Sequence, residues 1–259
     1  MVETQQTTVR TELADAGRVA VLTLDAGRGN VIDSRVLEHL GNALAPLSRE
    51  PSLAALVLDH AGPDFSFGAS VPEHAPDKVR AMLPKLHAVA LQLLRFPAPT
   101  FACVRGRCLG GGLEVALCAS QIYASRTASF AQPEPKLGVF APLGSVLLPK
   151  AIGQNRACEL LLSGRTVNAE EAERIGLVAH VSEDPRAAVL AWVREHLLPK
   201  SSETLRYALS AARHSTFAEL QNEIAALERM YLDRLMRTHD AQEGIQSFLE
   251  KRTPQWNHA

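Results

Sequence analysis

Apolar and polar positions follow two different periods along the first half of the chain. "TVRTEL" (8–13) and "RVAVLTLD" (18–25) are strand-like, "SRVLEHLGNALAPLS" (34–48) repeats its apolar positions at helical spacing, and "LAALVLDHA" (53–61) is a short apolar run between turn residues. "DKVRAMLPKLHAVALQLLRFP" (77–97) predicts a helix ended by Pro97, and "PTFACVRG" (99–106) predicts another buried strand. This strand-strand-helix rhythm with parallel crossovers predicts an α/β core. From Glu170 onward the period is helical: "AEEAERIGLV", "RAAVLAWVREHLLPK", "SETLRYALSAARHS", "FAELQNEIAALERMYLDRLMRT" and "DAQEGIQSFLEKR" read as successive amphipathic helices, with no strand after "LVAHVS". Asn168 and Thr216 are expected as helix caps. The chain shows no internal repeat or long linker, so the helical tail is expected to pack on the core or on a neighbouring subunit.

Composition narrows the function classes. A chain of 259 residues that is 46% hydrophobic can build a full core, and a net charge of -1 offers no basic excess for a nucleic-acid footprint. The opening "MVETQQTTVR" has no basic segment followed by an apolar stretch, and no run approaches the roughly 20 apolar residues of a membrane helix. A cytoplasmic protein that binds neither membrane nor nucleic acid is expected. Cys103, Cys108, Cys118 and Cys158 match neither a zinc knuckle nor a redox pair and are expected as reduced core residues.

Four segments carry candidate chemistry. "RCLGGGLEVALCAS" (107–120) opens an apolar helical run with three glycines, at a cost of roughly 1 kcal/mol each relative to alanine inside a helix. Bare backbone there serves either close packing or the approach of a ligand to helix-terminal N–H groups, and the sequence leaves both open. The run is neither a Walker loop nor a dinucleotide fingerprint, so a single donor such as the Gly111 N–H, aimed at an oxyanion, suits it better than a phosphate cradle. In "GPDFSFGAS" (62–70), Gly68 can turn the chain so that the Ala69 N–H meets the same oxygen; a plain strand-to-helix loop is the alternative. Glu114 sits among apolar residues, where an ionised carboxylate needs a partner or a proton unless it caps its helix or faces solvent. Glu134 stands between Pro133 and Pro135 on a stiffened loop, and taken alone it reads more often as a surface residue than as a catalyst. Two glutamates on rigid elements with two oxyanion donors suit water chemistry beside a thioester or ketone carbonyl. No GxSxG nucleophile and no HExxH or HxxxH metal spacing occurs. His74 reads as a pocket wall or as an ordinary core or surface histidine.

Taken in order, "FSFGAS", "RGRCLGGGLEVALCAS", "FAQPEPKLGV", "LSGRTVNAEEAERIGLVAHV" and "SFLEKRTP" resemble the crotonase, or enoyl-CoA hydratase/isomerase, superfamily from about residue 18 to 254. The resemblance implies a crotonase-like spiral of strand-strand-helix turns over residues 1–195 and a C-terminal helical trimerisation region over 196–259, in homotrimers that often pair as dimers of trimers. It implies that the Ala69 and Gly111 N–H groups hold the thioester oxygen of an acyl-CoA, that Glu134 exchanges protons with water and substrate, and that Glu114 orients the water. Arg28, Phe248 and Lys251 fall at CoA-contacting positions, the last two near a subunit boundary. Phe67, Ser70, His74, Phe140 and Leu143 are expected to line the acyl pocket. No cofactor or metal is implied, since coenzyme A belongs to the substrate.

Two departures bear on substrate. Ser70 replaces the usual acidic residue after the oxyanion alanine, and "APLGSVL" (141–147) replaces the familiar "PGAGGTQ". The altered segments look like those of cyclohexa-1,5-diene-1-carbonyl-CoA hydratases of anaerobic aromatic degradation, which form 6-hydroxycyclohex-1-ene-1-carbonyl-CoA. A short-chain enoyl-CoA hydratase/isomerase of fatty-acid oxidation and a non-catalytic crotonase-fold binding protein are the alternatives.

Overall fold

A computed structural model describes residues 7–258 of the chain. It begins with strands β1 (Val9–Ala14) and β2 (Val19–Leu24), helix α1 (Ser34–Leu47), strand β3 (Ala55–His60), helix α2 (Val79–Leu94) and strand β4 (Thr100–Val104). Strand β5 (Arg107–Leu109), helix α3 (Gly111–Leu117) and strands β6 (Gln121–Ser125) and β7 (Ser129–Ala131) follow, then helices α4 (Pro142–Ile152) and α5 (Gln154–Ser163). The chain continues through β8 (Val167–Asn168), α6 (Ala169–Arg174), β9 (His180–Ser182), α7 (Pro185–His196), α8 (Ser202–Phe217), α9 (Leu220–Asp233) and α10 (His239–Leu249).

The strands form two sheets, one of six in the order β1-β2-β3-β4-β6-β9 and one of three in the order β5-β7-β8. In the large sheet only the β1–β2 pairing is antiparallel; β2–β3, β3–β4, β4–β6 and β6–β9 are parallel. Parallel strands covered on both faces read as continuous apolar runs, which is why every residue of β3 and β4 is buried. Alternation along β2 sends Ala20 and Leu22 into the main core, while Val19 and Val21 face a second core with Val189 and Val193 of α7. Asp33 and Asn168 cap α1 and α6 by accepting from the N–H groups of Val36 and Glu171.

Some expectations need correction. Thr216 lies inside the last turn of α8, not before α9; α9 begins after Glu219, which makes no side-chain cap. Cys103, Cys108 and Cys118 are buried, but Cys158 is only half-buried on α5. Strands β5 to β9 have two to five residues each, too short to impose a readable period, and of these the sequence pattern marked only β9, in "LVAHVS". Residues 1–6 of the opening segment read for a leader lie outside the described residues. Among the described residues no helix is long and apolar enough to cross a membrane. The proposed 195/196 boundary falls at the end of α7, whose inner face packs on the large sheet. By contrast, no residue of α8 is fully buried, and Leu205 and Phe217 pack only partly against the two cores.

Candidate active site

Backbone pairing creates the first half of the site. Residues 66–70 run between two other segments: the Phe67 N–H donates to Gly29 O (2.7 Å), the Ile32 N–H to Gly68 O (2.9 Å) and the Ser70 N–H to Ile32 O (2.9 Å). On the other side the Ser66 N–H donates to Arg107 O and the Leu109 N–H to Ser66 O. The fully buried Ser66 hydroxyl donates to Asn30 O (2.8 Å) and accepts from the Gly68 N–H (3.0 Å), fixing the turn from inside. In an extended chain successive N–H groups point to opposite sides, so pairing Ser70 with Ile32 turns the Ala69 N–H the other way.

The glycine run supplies the second half. Gly110 has φ 49° and ψ -127°, a conformation that strongly favours glycine, and its N–H donates to Ala131 O (2.9 Å). Gly111 opens α3, where the first N–H groups have no acceptor within the helix. Neither the Ala69 nor the Gly111 N–H donates to another group among the described residues. They are neighbours: a Cβ on Gly111 would lie 3.0 Å from the Ala69 N, and one on Gly68 would lie 3.5 Å from the Gly111 N. Two unpaired donors so placed can grip one oxygen. At Gly112 the packing reading of the triple glycine holds, because a Cβ there would lie 2.5 Å from the Ser66 Cβ.

Two carboxyl groups border the same pocket. Glu114, one turn into α3, is 3% exposed and accepts from the Gly144 N–H at 2.9 Å, in the first turn of α4. Glu134 starts a short 3-10 turn, Glu134–Leu137, half-buried where Gly110 leaves it room: a Cβ on Gly110 would stand 2.7 Å from its Oε1. Burial pushes both carboxyl groups above the usual carboxylate range, with the Glu114 charge adding to the rise at Glu134 and the helix α4 N–H groups partly opposing it at Glu114. The two titrate as a pair, and repulsion between them favours the state that holds one proton.

The pocket brings together Phe67, Ala69, His74, Gly111, Glu114, Glu134 and Phe140, as expected from the sequence. His74 donates from Nδ1 to Ser70 O (2.9 Å), since a carbonyl only accepts, and burial lowers its pKa and keeps it neutral. Two expected wall residues are absent from the lining. Leu143 is fully buried in the core on α4, because Pro142 starts that helix and Ala141 and Pro142 take the wall positions. Ser70 contributes its main chain to Ile32 and His74 instead of a side chain to the pocket. Phe248 and Lys251 are exposed at and beyond the end of α10, whose pocket residue is Ile245. Arg28 sits in a separate groove with Arg107 and Asp64, and Phe67 borders both spaces with the Arg107 guanidinium 4.1 Å from its ring centroid.

Sequence reading missed three contributors. Ser66 pins the donor loop. Gln132, 1% exposed, donates from its amide nitrogen to Glu134 Oε2 (3.1 Å) and Oε1 (3.2 Å) in the orientation that satisfies both groups. Gln132 lies next to the proline-flanked glutamate and could have been weighed with it. Tyr231 of α9 also lines the pocket, almost 100 residues from Glu134, with no local signal to mark it.

The arrangement can polarise a carbonyl oxygen with two N–H groups while two carboxyl groups handle water and protons. The enoyl-CoA hydratase/isomerase family model matches residues 15–259 of this chain. The cyclohexa-1,5-dienecarbonyl-CoA hydratase of Thauera aromatica is 43% identical over 240 residues, 93% of each chain. The Mycobacterium tuberculosis protein named "Probable enoyl-CoA hydratase echA8" is 33% identical over 244 residues, 93% of this chain and 95% of that one. Among solved structures, an enoyl-CoA hydratase from Mycobacterium avium superposes with a TM-score of 0.85 at 25% identity, covering 98% of this chain and 100% of that one. Fold, motif order and match along almost the whole length agree, and the chain belongs to the enoyl-CoA hydratase/isomerase family, with its crotonase fold.

Proposed function

We propose that the protein is an acyl-CoA hydratase, a hydro-lyase, that adds water to cyclohexa-1,5-diene-1-carbonyl-CoA to give 6-hydroxycyclohex-1-ene-1-carbonyl-CoA. The observation that carries hydration is the joint placement of Glu114, Glu134 and two neighbouring unpaired N–H groups on one largely apolar pocket. The cyclic substrate is supported by the 43% identity to the Thauera aromatica enzyme, against 33% to the Mycobacterium tuberculosis protein, and by the aromatic walls Phe67, Phe140 and Tyr231.

In this reading the Ala69 and Gly111 N–H groups draw charge onto the thioester oxygen. Glu114, fixed by the Gly144 N–H, orients the water; Glu134, fixed by Gln132, exchanges protons with it and with the ring. The water oxygen bonds the ring carbon β to the thioester, and the displaced electron pair enters a dienolate spread over the thioester and the second double bond. A proton then adds at the far end of that system, so the elements of one water are divided between two ring carbons and one double bond remains. The pantetheine arm passes Phe67 toward Arg28 and Arg107, which meet the CoA phosphates. Phe248 and Lys251, outside the pocket of their own chain, contact CoA in an assembled homotrimer. The absence of any fully buried residue on α8 and its exposed Tyr207 favour such an assembly.

The test is a mass-spectrometric assay for addition of one water to cyclohexa-1,5-diene-1-carbonyl-CoA and to crotonyl-CoA, side by side. A higher kcat/KM on the ring is the expected result. Preference for crotonyl-CoA returns the protein to linear-chain hydration, and water addition to neither removes the hydratase reading.

A pH profile gives a second expected outcome. A carboxyl pair that must hold one proton loses function when it gains a second at low pH and when it loses its last at high pH, giving a bell in kcat/KM. Both groups are shifted upward, so the acid limb should lie above the ordinary glutamate pKa of about 4.3. An acid limb at or below that value would count against a buried, mutually repelling pair.

A further inference from the structure

The polar inventory of the pocket has one member without a task. Tyr231 is 1% exposed, and its hydroxyl has no hydrogen-bond partner among the described residues. Its ring is held edge-on by Phe140, with centroids 5.4 Å apart, and by His74, at 6.5 Å. A buried hydroxyl left unpaired costs stability that a ligand can restore. Burial and the charges of Glu134 and Glu114 push its pKa up, so the phenol keeps its proton and remains a donor on the pocket that both carboxyl groups border. The neighbouring His74 supplies no competing donor, because its single proton goes to Ser70 O and its other nitrogen can only accept.

Among the reacting molecules, one oxygen is left for this donor. The acyl group of an enoyl-CoA is hydrocarbon, and its thioester oxygen is assigned to Ala69 and Gly111. The other oxygen in the reaction is the one that moves between water and carbon. We propose that the Tyr231 hydroxyl donates a hydrogen bond to the transferred oxygen, first as the attacking water and then as the hydroxyl of the product. A water molecule so held directs its two hydrogens at the carboxyl groups, gives one lone pair to Tyr231 and keeps the other for the carbon. Tyr231 thus selects for the hydroxylated acyl group and orients the nucleophile; this rests on the hydratase reading but not on the ring.

The experiment measures binding in a Glu134→Gln background, where turnover is suppressed, with and without Tyr231→Phe. Calorimetry compares 6-hydroxycyclohex-1-ene-1-carbonyl-CoA with cyclohex-1-ene-1-carbonyl-CoA, and 3-hydroxybutyryl-CoA with butyryl-CoA. The expected result is that Tyr231→Phe lowers the preference for the hydroxylated member about tenfold, the worth of one hydrogen bond in a dry site, with the deoxy member's affinity unchanged. The melting temperature of the single Tyr231→Phe variant should hold or rise, since the free protein loses an unpaired hydroxyl. An unchanged preference overturns the proposal, as does an equal loss for both members, which would mark a merely structural tyrosine. If only the linear pair binds, the cyclic substrate falls while Tyr231 is still tested; if neither binds, the hydratase reading falls with it.

Discussion

Replacing Glu134 by glutamine is expected to reduce kcat for hydration by about 10²- to 10⁴-fold, the usual contribution of a positioned acid/base, with little change in acyl-CoA affinity. The substitution keeps shape and volume but removes proton exchange. Gln132 would then present an amide to an amide, and one of the two can rotate to restore a hydrogen bond, so the 3-10 turn should survive. The remaining carboxyl, Glu114, should still titrate above an ordinary glutamate, because burial is what raises it. Stopped-flow hydration together with calorimetric binding of a saturated acyl-CoA separates the two effects. Turnover within a few-fold of wild type would show that another group moves the proton.

Gly110→Ala is expected to lower kcat by about 10²- to 10³-fold, comparable to loss of one oxyanion donor. The new methyl meets two obstacles. The backbone at φ 49°, ψ -127° is strained for any residue with a side chain, by about 1–3 kcal/mol. The methyl would also stand 2.7 Å from Glu134 Oε1. Relief requires either the carboxyl group or the chain leading into Gly111 to move, and each is part of the proposed chemistry. Gly17, in the β1–β2 turn, is also at positive φ (82°) but has open space around its Cβ and is the control: alanine there carries backbone strain without touching the carboxyl pair. Equal kinetic losses in the two variants would mean that strain alone, not the approach to Glu134, explains the effect.

Legibility of the site followed the range of the constraints. The glycine run, the isolated acidic residue in "LEVALCAS" and the proline-flanked Glu134 depart from what a plain helix or loop requires, so they stood out locally. Leu143 was misread because an apolar residue beside a pocket segment has the same appearance whether it faces the ligand or the core. Pro142 starting α4 decided that question. Ser70 was expected on the pocket wall from its position after the donor loop, whereas its main chain is what the neighbouring segment uses.

By itself the sequence determined the alternation of buried strands and amphipathic helices, the helical tail, and the residue types at the two donors and two carboxyl groups. These follow from periodicity and from local backbone chemistry, which act over a few residues. Only the tertiary structure decided that Ala69 and Gly111 are adjacent, that α4 directs an N–H at the buried Glu114 carboxylate, and that α9 closes the pocket with Tyr231. Those facts depend on parallel pairing between strands far apart in the chain and on the packing of a distant helix, and hydrophobic burial, being non-directional, leaves no residue-by-residue mark of such pairings in the sequence.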